Sequence, residues 1–438
     1  MKAPFDLRSS LLLVLVCCFV CVAPARALNE WTMAFYMCAD QDDTSIMEES
    51  YVKAMKKMMQ VGSDSQVEFV WQVDSGAKTN DLIRKFYPGG GTKSATRMLI
   101  KENSMEVEEN IGEVNMGSPY ALWDFLKYVA TKHPARNYFL VLGGHGSGAF
   151  TWRGTGGTNS KQPGAVDFDP DSFVCYDDQS SDTLSVAEVA AVFTAFKERY
   201  NKGRKIPIVC FDTCCAGTIE VMYGLRNTVE VAMASAETTP IGGADYFTPA
   251  LAMQANRRID AEKLAGMTVR GYIFHAPKRD SGVSFVAWRL SDMEELAGAV
   301  DSLARALLKG VHATKGSFVL KKVYKYWNGD YYWDLDVALR NMMDGTVWYQ
   351  DNNKRKLKYD MTEIVECATY AHQCLRQARI KIWYNGRASE NKIGGLSIVW
   401  PSKDFYRKEK NRNFYKSLEM SRDLYWDEFL DYRIGIYH

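Results

Sequence analysis

Two short loops in this chain carry the residue types needed to cut an amide bond. One is Gly143-Gly144-His145-Gly146-Ser147-Gly148, and the other is Asp212-Thr213-Cys214-Cys215-Ala216-Gly217. A thiol with an ordinary pKa of about 8.5 is only a few per cent thiolate at neutral pH. It therefore needs a partner such as His145, which can polarise the attack or protonate a leaving amine. Gly146 has no side chain, so its N–H can approach a substrate carbonyl. With the N–H of Cys214 it would form an oxyanion hole, each donor contributing roughly 3–4 kcal/mol. Asp212, two residues before the thiol, would face the adjacent pocket. A buried carboxylate there selects Lys or Arg, because a neutral side chain leaves its charge unpaired. Taken singly, a strand-end Cys is usually a packed small hydrophobe and a glycine-flanked His usually structural. Found together, with Asp at minus two, they read as a catalytic pair.

The neighbouring candidates are weaker. Cys215 reads as core packing and Cys210 as part of a buried strand. His133, before Pro134 at a helix end, reads as exposed. His275, His312 and His372 lack ligand-like spacing, so no zinc set and no other metal ligands are read from the residues.

Both loops follow short apolar runs, Tyr138–Leu142 and Ile206–Phe211, which read as buried strands. Further runs at Trp31–Met37, Val67–Val73 and Glu230–Ser235 alternate with helical periodicity at Thr44–Met59, Ser118–Thr131 and Ala216–Leu225. Ser185-Val186-Ala187-Glu188 has the form of a capping box opening another helix. Such alternation predicts an α/β fold with a mostly parallel sheet covered on both faces. The carboxyl ends of its strands are where ligands bind, which is where both loops fall. The reading places Cys214 one or two residues before a helix, whose dipole would favour the thiolate.

The stretch from Arg153 to Pro170 is rich in Gly, Pro, Thr, Asn and Ser and reads as a surface loop. Its basic residues Lys161 and, second, Arg153 are candidate processing sites; the alternative is an unprocessed insertion. The second half is less regular. Strands are expected at Val283–Arg289, Ile380–Tyr384 and Leu396–Trp400, and helices near Met293–Leu308, Asp334–Met343 and Asp423–Tyr432. The expected division is a signal segment over 1–27, a catalytic domain over 28–290, and an α+β subdomain over 291–438 packed on it.

Composition narrows the class. The chain has 438 residues, 47% of them hydrophobic, so it can bury a core. Lys+Arg 54 against Asp+Glu 53 leaves no basic excess, which argues against a nucleic-acid partner. Lys2 and Arg8, the apolar run Leu11 to Ala23 and Ala25-Arg26-Ala27 have the form of a cleaved signal peptide. This predicts entry into the secretory pathway, to secretion or a lysosome-like compartment, with no stable membrane insertion after cleavage. Beyond that segment lie Cys38, Cys175, Cys210, Cys214, Cys215, Cys367 and Cys374, an odd and sparse set that is no disulfide scaffold. Cys367 and Cys374 fall on one expected helix, seven residues apart, out of disulfide reach.

Trp31–Asp43, Asn137–Gly148, Phe211–Val221, Ala234–Pro240, Asp334–Ala338 and Gly394–Pro401 together resemble the clostripain family of cysteine peptidases, in the caspase–gingipain–legumain clan. The resemblance runs from about residue 30 to 433. It implies a caspase-like three-layer α/β fold, catalytic His145 and Cys214, and cleavage of protein or peptide substrates after Arg or Lys, with Asp212 at the base of the specificity pocket. It implies no required cofactor; calcium, and self-cleavage in a loop after the histidine, enter only because some members use them. Departures are Cys215, where the family has a larger apolar residue, Gly144, where it often has Asp, and a longer loop between His145 and Cys214. Asp212-Thr213-Cys214 also resembles the legumain and GPI-transamidase branch, which keeps asparaginyl cleavage or transpeptidation as an alternative. The rival class is a non-catalytic interaction protein on the same fold.

Overall fold

The computed structural model describes residues 28–40, 46–76, 81–87, 92–149, 173–239, 244–275, 283–326, 331–385, 389 and 392–436. The expected signal segment and the loop bearing Arg153 and Lys161 lie outside them.

Chain order builds strands β1 (Asn29–Ala39), β2 (Val67–Ser75), β3 (Ala95–Lys101), β4 (Ser104–Gly112) and β5 (Ala135–Gly143). There follow β6 (Val174–Asp177), β7 (Asp182–Leu184), β8 (Ile206–Asp212), β9 (Val229–Ala234) and β10 (Val283–Arg289). A nine-stranded sheet takes the order Arg379–Asn385, β10, β9, β8, β5, β1, β2, β3, β4. Its centre, β9 through β2, is wholly parallel, and antiparallel pairs finish both edges. The outer edge beyond β10 comes from the C-terminal third, so that region completes the sheet.

Side-chain alternation explains the layers. Along β1, Ala34, Tyr36 and Cys38 enter one core, while Met33, Phe35 and Met37 enter the other. Period-two burial of apolar residues on both faces requires a cover on each. Seven helices matter here, in chain order: α1 (Ile46–Met58), α2 (Pro119–Lys132), α3 (Val186–Arg199), α4 (Ile219–Leu225), α5 (Phe247–Ala255), α6 (Ala261–His275) and α7 (Met293–Thr314). Helices α1, α5 and α6 bury residues such as Met55, Met253 and Leu264 on the Met37 face. Helices α2, α3, α4 and α7 bury Phe125, Phe193, Met222 and Leu303 on the Tyr36 face. The result is the three-layer α/β architecture. Ser185 and Glu188 form the expected capping box at α3.

Several features differ from the sequence reading. The antiparallel pair β3–β4 was not expected; β4 is a half-exposed edge strand whose polar residues hide its strand character. Helix α4 starts at Ile219 with Thr218 as its N-cap, later than expected. His133 is not exposed. It is fully buried, with Nδ1 at 2.9 Å from Glu68 Oε2 and Nε2 at 2.9 Å from Glu108 Oε2. Burial opposes its protonated form, but the two carboxylates outweigh that and raise its pKa.

One buried carboxylate ties α4 to the C-terminal region. Glu220 Oε1 accepts from Val399 N–H at 2.9 Å and from the Tyr415 hydroxyl at 3.1 Å. Burial pushes its pKa up to about 7, from 4.5, against the lowering effect of these bonds. The folded state thus holds this proton over a pH range where the unfolded chain has lost it. Its stabilising contribution is full below about 4.5 and is lost as pH rises through 7. Glu220→Gln should keep both bonds, remain folded, and flatten part of the fall in melting temperature between pH 5 and 8. Thermal melts of both proteins across that range check this.

Candidate active site

The parallel ladder between β5 and β8 sets the geometry. Gly143 and Asp212 are register partners at the carboxyl ends of these neighbouring strands. His145 and Cys214 each lie two residues further on, so the topology carries imidazole and thiol to the same sheet edge. The loops then touch directly. Gly144 N–H points to Asp212 O at 3.4 Å. A Cβ on Gly146 would lie 2.1 Å from Thr213 Oγ1 and 2.7 Å from Phe173 O. A Cβ on Gly148, whose φ is +82°, would lie 2.6 Å from Cys215 O. Glycine at 146 is therefore a condition for the histidine loop to lie against the residue preceding the thiol.

Strand β6 braces the histidine loop from outside. Ser147 N–H donates to Phe173 O at 3.2 Å, Tyr176 N–H to His145 O at 3.4 Å, and Gly146 and Val174 form an antiparallel bridge. From the C-terminal region, the Tyr332 hydroxyl donates to Ser147 O at 2.9 Å.

Cys214 is partly exposed and Cys215 fully buried. Cys215 has φ +58°, a left-handed conformation that turns the chain sharply after the nucleophile candidate. Its N–H donates to Glu237 O at 3.2 Å, and Gly217 N–H to Ser235 O at 2.8 Å, so the segment after β9 holds this loop. This segment also reaches the thiol. Thr239 N–H lies 3.3 Å from Cys214 Sγ and Thr239 Oγ1 3.6 Å. A backbone N–H aimed at sulfur favours the thiolate. This replaces part of the expected helix-dipole effect: α4 begins five positions beyond Cys214, and dipole effects fall off within a turn. Thr239 lies in the Ala234–Pro240 segment that resembles the family, but its contact with the thiol has no local sequence signal.

Asp212 is buried, 7% exposed, at the floor of this edge. Its Oδ2 accepts from the Tyr246 hydroxyl and, at 3.4 Å, from Ala244 N–H. Burial raises its pKa, and these two donors lower it in part. A buried carboxylate with only neutral donors gains most from an incoming cation.

The whole arrangement has counterparts. Residues 35–433 match the model of the clostripain family. The chain belongs to the clostripain family of cysteine peptidases. Clostripain of Hathewaya histolytica is 27% identical over 114 residues, which are 26% of this chain and 19% of that protein's length. A secreted C11 cysteine protease from Bacteroides thetaiotaomicron, solved with an irreversible peptide inhibitor, superposes with a TM-score of 0.60 at 15% identity, covering 92% of this chain and 99% of that one. An inactive zymogen C11 protease from Parabacteroides distasonis gives a TM-score of 0.59 at 15% identity, covering 91% and 99%. At such identity these two likenesses bear on the fold, and they extend over its C-terminal region as well as the sheet.

No disulfide joins any of the seven cysteines of the described residues. Of these, only Cys214 and Cys367 are partly exposed, and burial raises the pKa of Cys367. Under native conditions iodoacetamide should therefore modify Cys214 first, Cys367 more slowly, and Cys215 only after unfolding. Peptide mass mapping over time checks the order. Modification of Cys215 at the rate of Cys214 would contradict it.

Proposed function

We propose that this endopeptidase hydrolyses peptide bonds after Arg or Lys, with Cys214 as nucleophile and His145 as its acid–base partner. One observation carries the reading: the Gly143–Asp212 register partners, from which thiol and imidazole each project two residues further along adjoining parallel strands. In this mechanism the Cys214 thiolate attacks the scissile carbonyl carbon. The oxyanion is met by the N–H groups of Gly146 and Cys214. The His145 imidazolium gives its proton to the departing amine, leaving a thioester that water hydrolyses. Asp212 supplies the anion for a basic side chain. Its burial beside Tyr246 supports that role, because a neutral substrate group would leave the carboxylate without a counter-charge.

Two further proposals rest on residues outside the described structure. Residues 1–27 act as a secretion signal, and the chain works in the secretory pathway. No helix among the described residues is long and apolar enough to cross a membrane. The precursor is cut by the enzyme itself in the 153–170 loop, at Lys161 in preference to Arg153. The division into a 28–290 catalytic domain and a 291–438 subdomain is likewise proposed. Against a clean boundary stands the Arg379–Asn385 strand at the edge of the common sheet.

Profiling a peptide library with wild type, Cys214→Ala, His145→Ala and Asp212→Asn tests the reading. Wild type should cut after Arg or Lys. Cys214→Ala should lower kcat/KM at least about a thousandfold. Asp212→Asn should lose basic selectivity, chiefly through KM. Cleavage after Asn alone would reject the specificity and favour the asparaginyl alternative. The Cys214→Ala precursor should stay one chain when expressed alone; a two-chain product would assign the cut to another protease.

A further inference from the structure

The Asp212 carboxylate is held by one of its oxygens. Tyr246, 34 positions further along the chain, donates its hydroxyl to Oδ2, and Ala244 N–H reaches the same oxygen at 3.4 Å. Both donors thus fall on Oδ2. Among the described residues no donor reaches Oδ1, and that oxygen is not sealed from solvent. The carboxylate is turned with one oxygen fixed and the other open.

The tyrosine ring is held from the far side of the core. It lies edge-on to Phe35 of β1, ring centres 4.9 Å apart at 81°, and to Trp71 of β2, 6.0 Å apart at 82°. Phe35 and Trp71 stack on each other at 3.9 Å. Edge-to-face packing of this kind sets the orientation of a ring. Tyr246 stands just before α5, but its side chain makes no capping bond to that helix. A buried phenol needs an acceptor for its O–H. Here the strands β1 and β2 aim that O–H at the end of β8, and the acceptor is Asp212.

The other groups around this pair do not take over that contact. Asp245 turns towards α5, accepting from Phe247 N–H at 3.2 Å, and Lys57 of α1 pairs with Asp245 at 3.6 Å. Tyr51 of α1 and Cys210 of β8 feel the charge of Asp212, and burial raises the pKa of each, so both are neutral near pH 7. His145 lies on the loop beyond Gly143, the register partner of Asp212. Burial raises the pKa of Asp212 itself, and Tyr246 is the larger of the two donors that lower it.

We propose that Tyr246 is the positioning residue of the specificity site: it fixes Oδ2 of Asp212 so that a charged Oδ1 meets the cationic side chain of the substrate. That role rests on the Arg/Lys specificity proposed for Asp212. A hydroxyl donating to a carboxylate favours its ionised form. Without it Asp212 would take up a proton at higher pH, and a neutral acid offers no charge to a guanidinium or ammonium group. Tyr246 therefore sets the lowest pH at which basic residues are preferred.

The test gives the full chain two peptide substrates that differ only at the residue before the cut, arginine against its uncharged isostere citrulline, between about pH 4 and 8. Their kcat/KM ratio cancels the titration of Cys214 and His145 and reports the charge of Asp212. In the wild type the ratio should fall with falling pH, inflecting above the ordinary carboxyl value of about 3.9. Tyr246→Phe keeps the ring and its edge contacts. It should move the inflection up by about one pH unit, and act on KM for the arginine substrate more than on kcat. In an Asp212→Asn background Tyr246→Phe should leave the ratio unchanged, since the tyrosine acts through that carboxylate. An inflection that stays in place in Tyr246→Phe, or a ratio that drops equally at every pH, would overturn the role of Tyr246 and leave the specificity reading intact. A further change of the ratio in the Asp212→Asn background would overturn it too. A wild-type ratio near one at every pH would instead reject the Arg/Lys reading, and the role of Tyr246 with it.

Discussion

The structure depends on the register of two parallel strands. Because Gly143 pairs with Asp212, the loops beyond them start level and run side by side. Everything at the site follows from that contact. It can be this close only because residue 146 has no Cβ; any larger residue would meet Thr213 and the Phe173 carbonyl. The glycine-rich character of the histidine loop is thus a packing requirement as much as a catalytic one. A one-residue slip between β5 and β8 would turn alternate side chains to the opposite face and separate the two loops.

Several elements hold this contact from outside. Strand β6 bonds the backbone beside His145, the segment after β9 bonds Cys215 and reaches the Cys214 sulfur, and Tyr332 from the C-terminal region bonds Ser147. Ser397 N–H donates to Gly217 O at 2.9 Å, and Glu220 links α4 to Val399 and Tyr415. The C-terminal third therefore acts as part of the site's scaffold, which accounts for its being matched by the family along with the sheet. Supporting shells of this kind keep reacting groups aligned without touching them.

Most of the central sheet was legible because buried parallel strands read as continuous apolar runs. Val283–Arg289 matches its expected bounds, and β1, β5 and β8 extend theirs by a few residues at most. The two candidate loops stand out because His145 and Cys214 lie three residues beyond the ends of such runs. What was hidden was either non-local or polar. Helix α4 starts late because Cys215 turns left-handed and Gly217 bonds back to Ser235, contacts that periodicity does not register. His133 looked exposed before its proline, yet Glu68 and Glu108, distant in sequence, enclose it. Thr239 and Tyr246 are likewise brought to Cys214 and Asp212 only by strand order. Arg153 and Lys161 remain where sequence alone left them.

The central claim is that the imidazole of His145 works on the sulfur of Cys214. The pH dependence of the Cys214 alkylation rate in wild type and His145→Ala tests it most directly. The account expects the wild-type rate to inflect well below the ordinary thiol pKa of about 8.5, and His145→Ala to move that inflection up towards it. Superimposable profiles for the two proteins would contradict it.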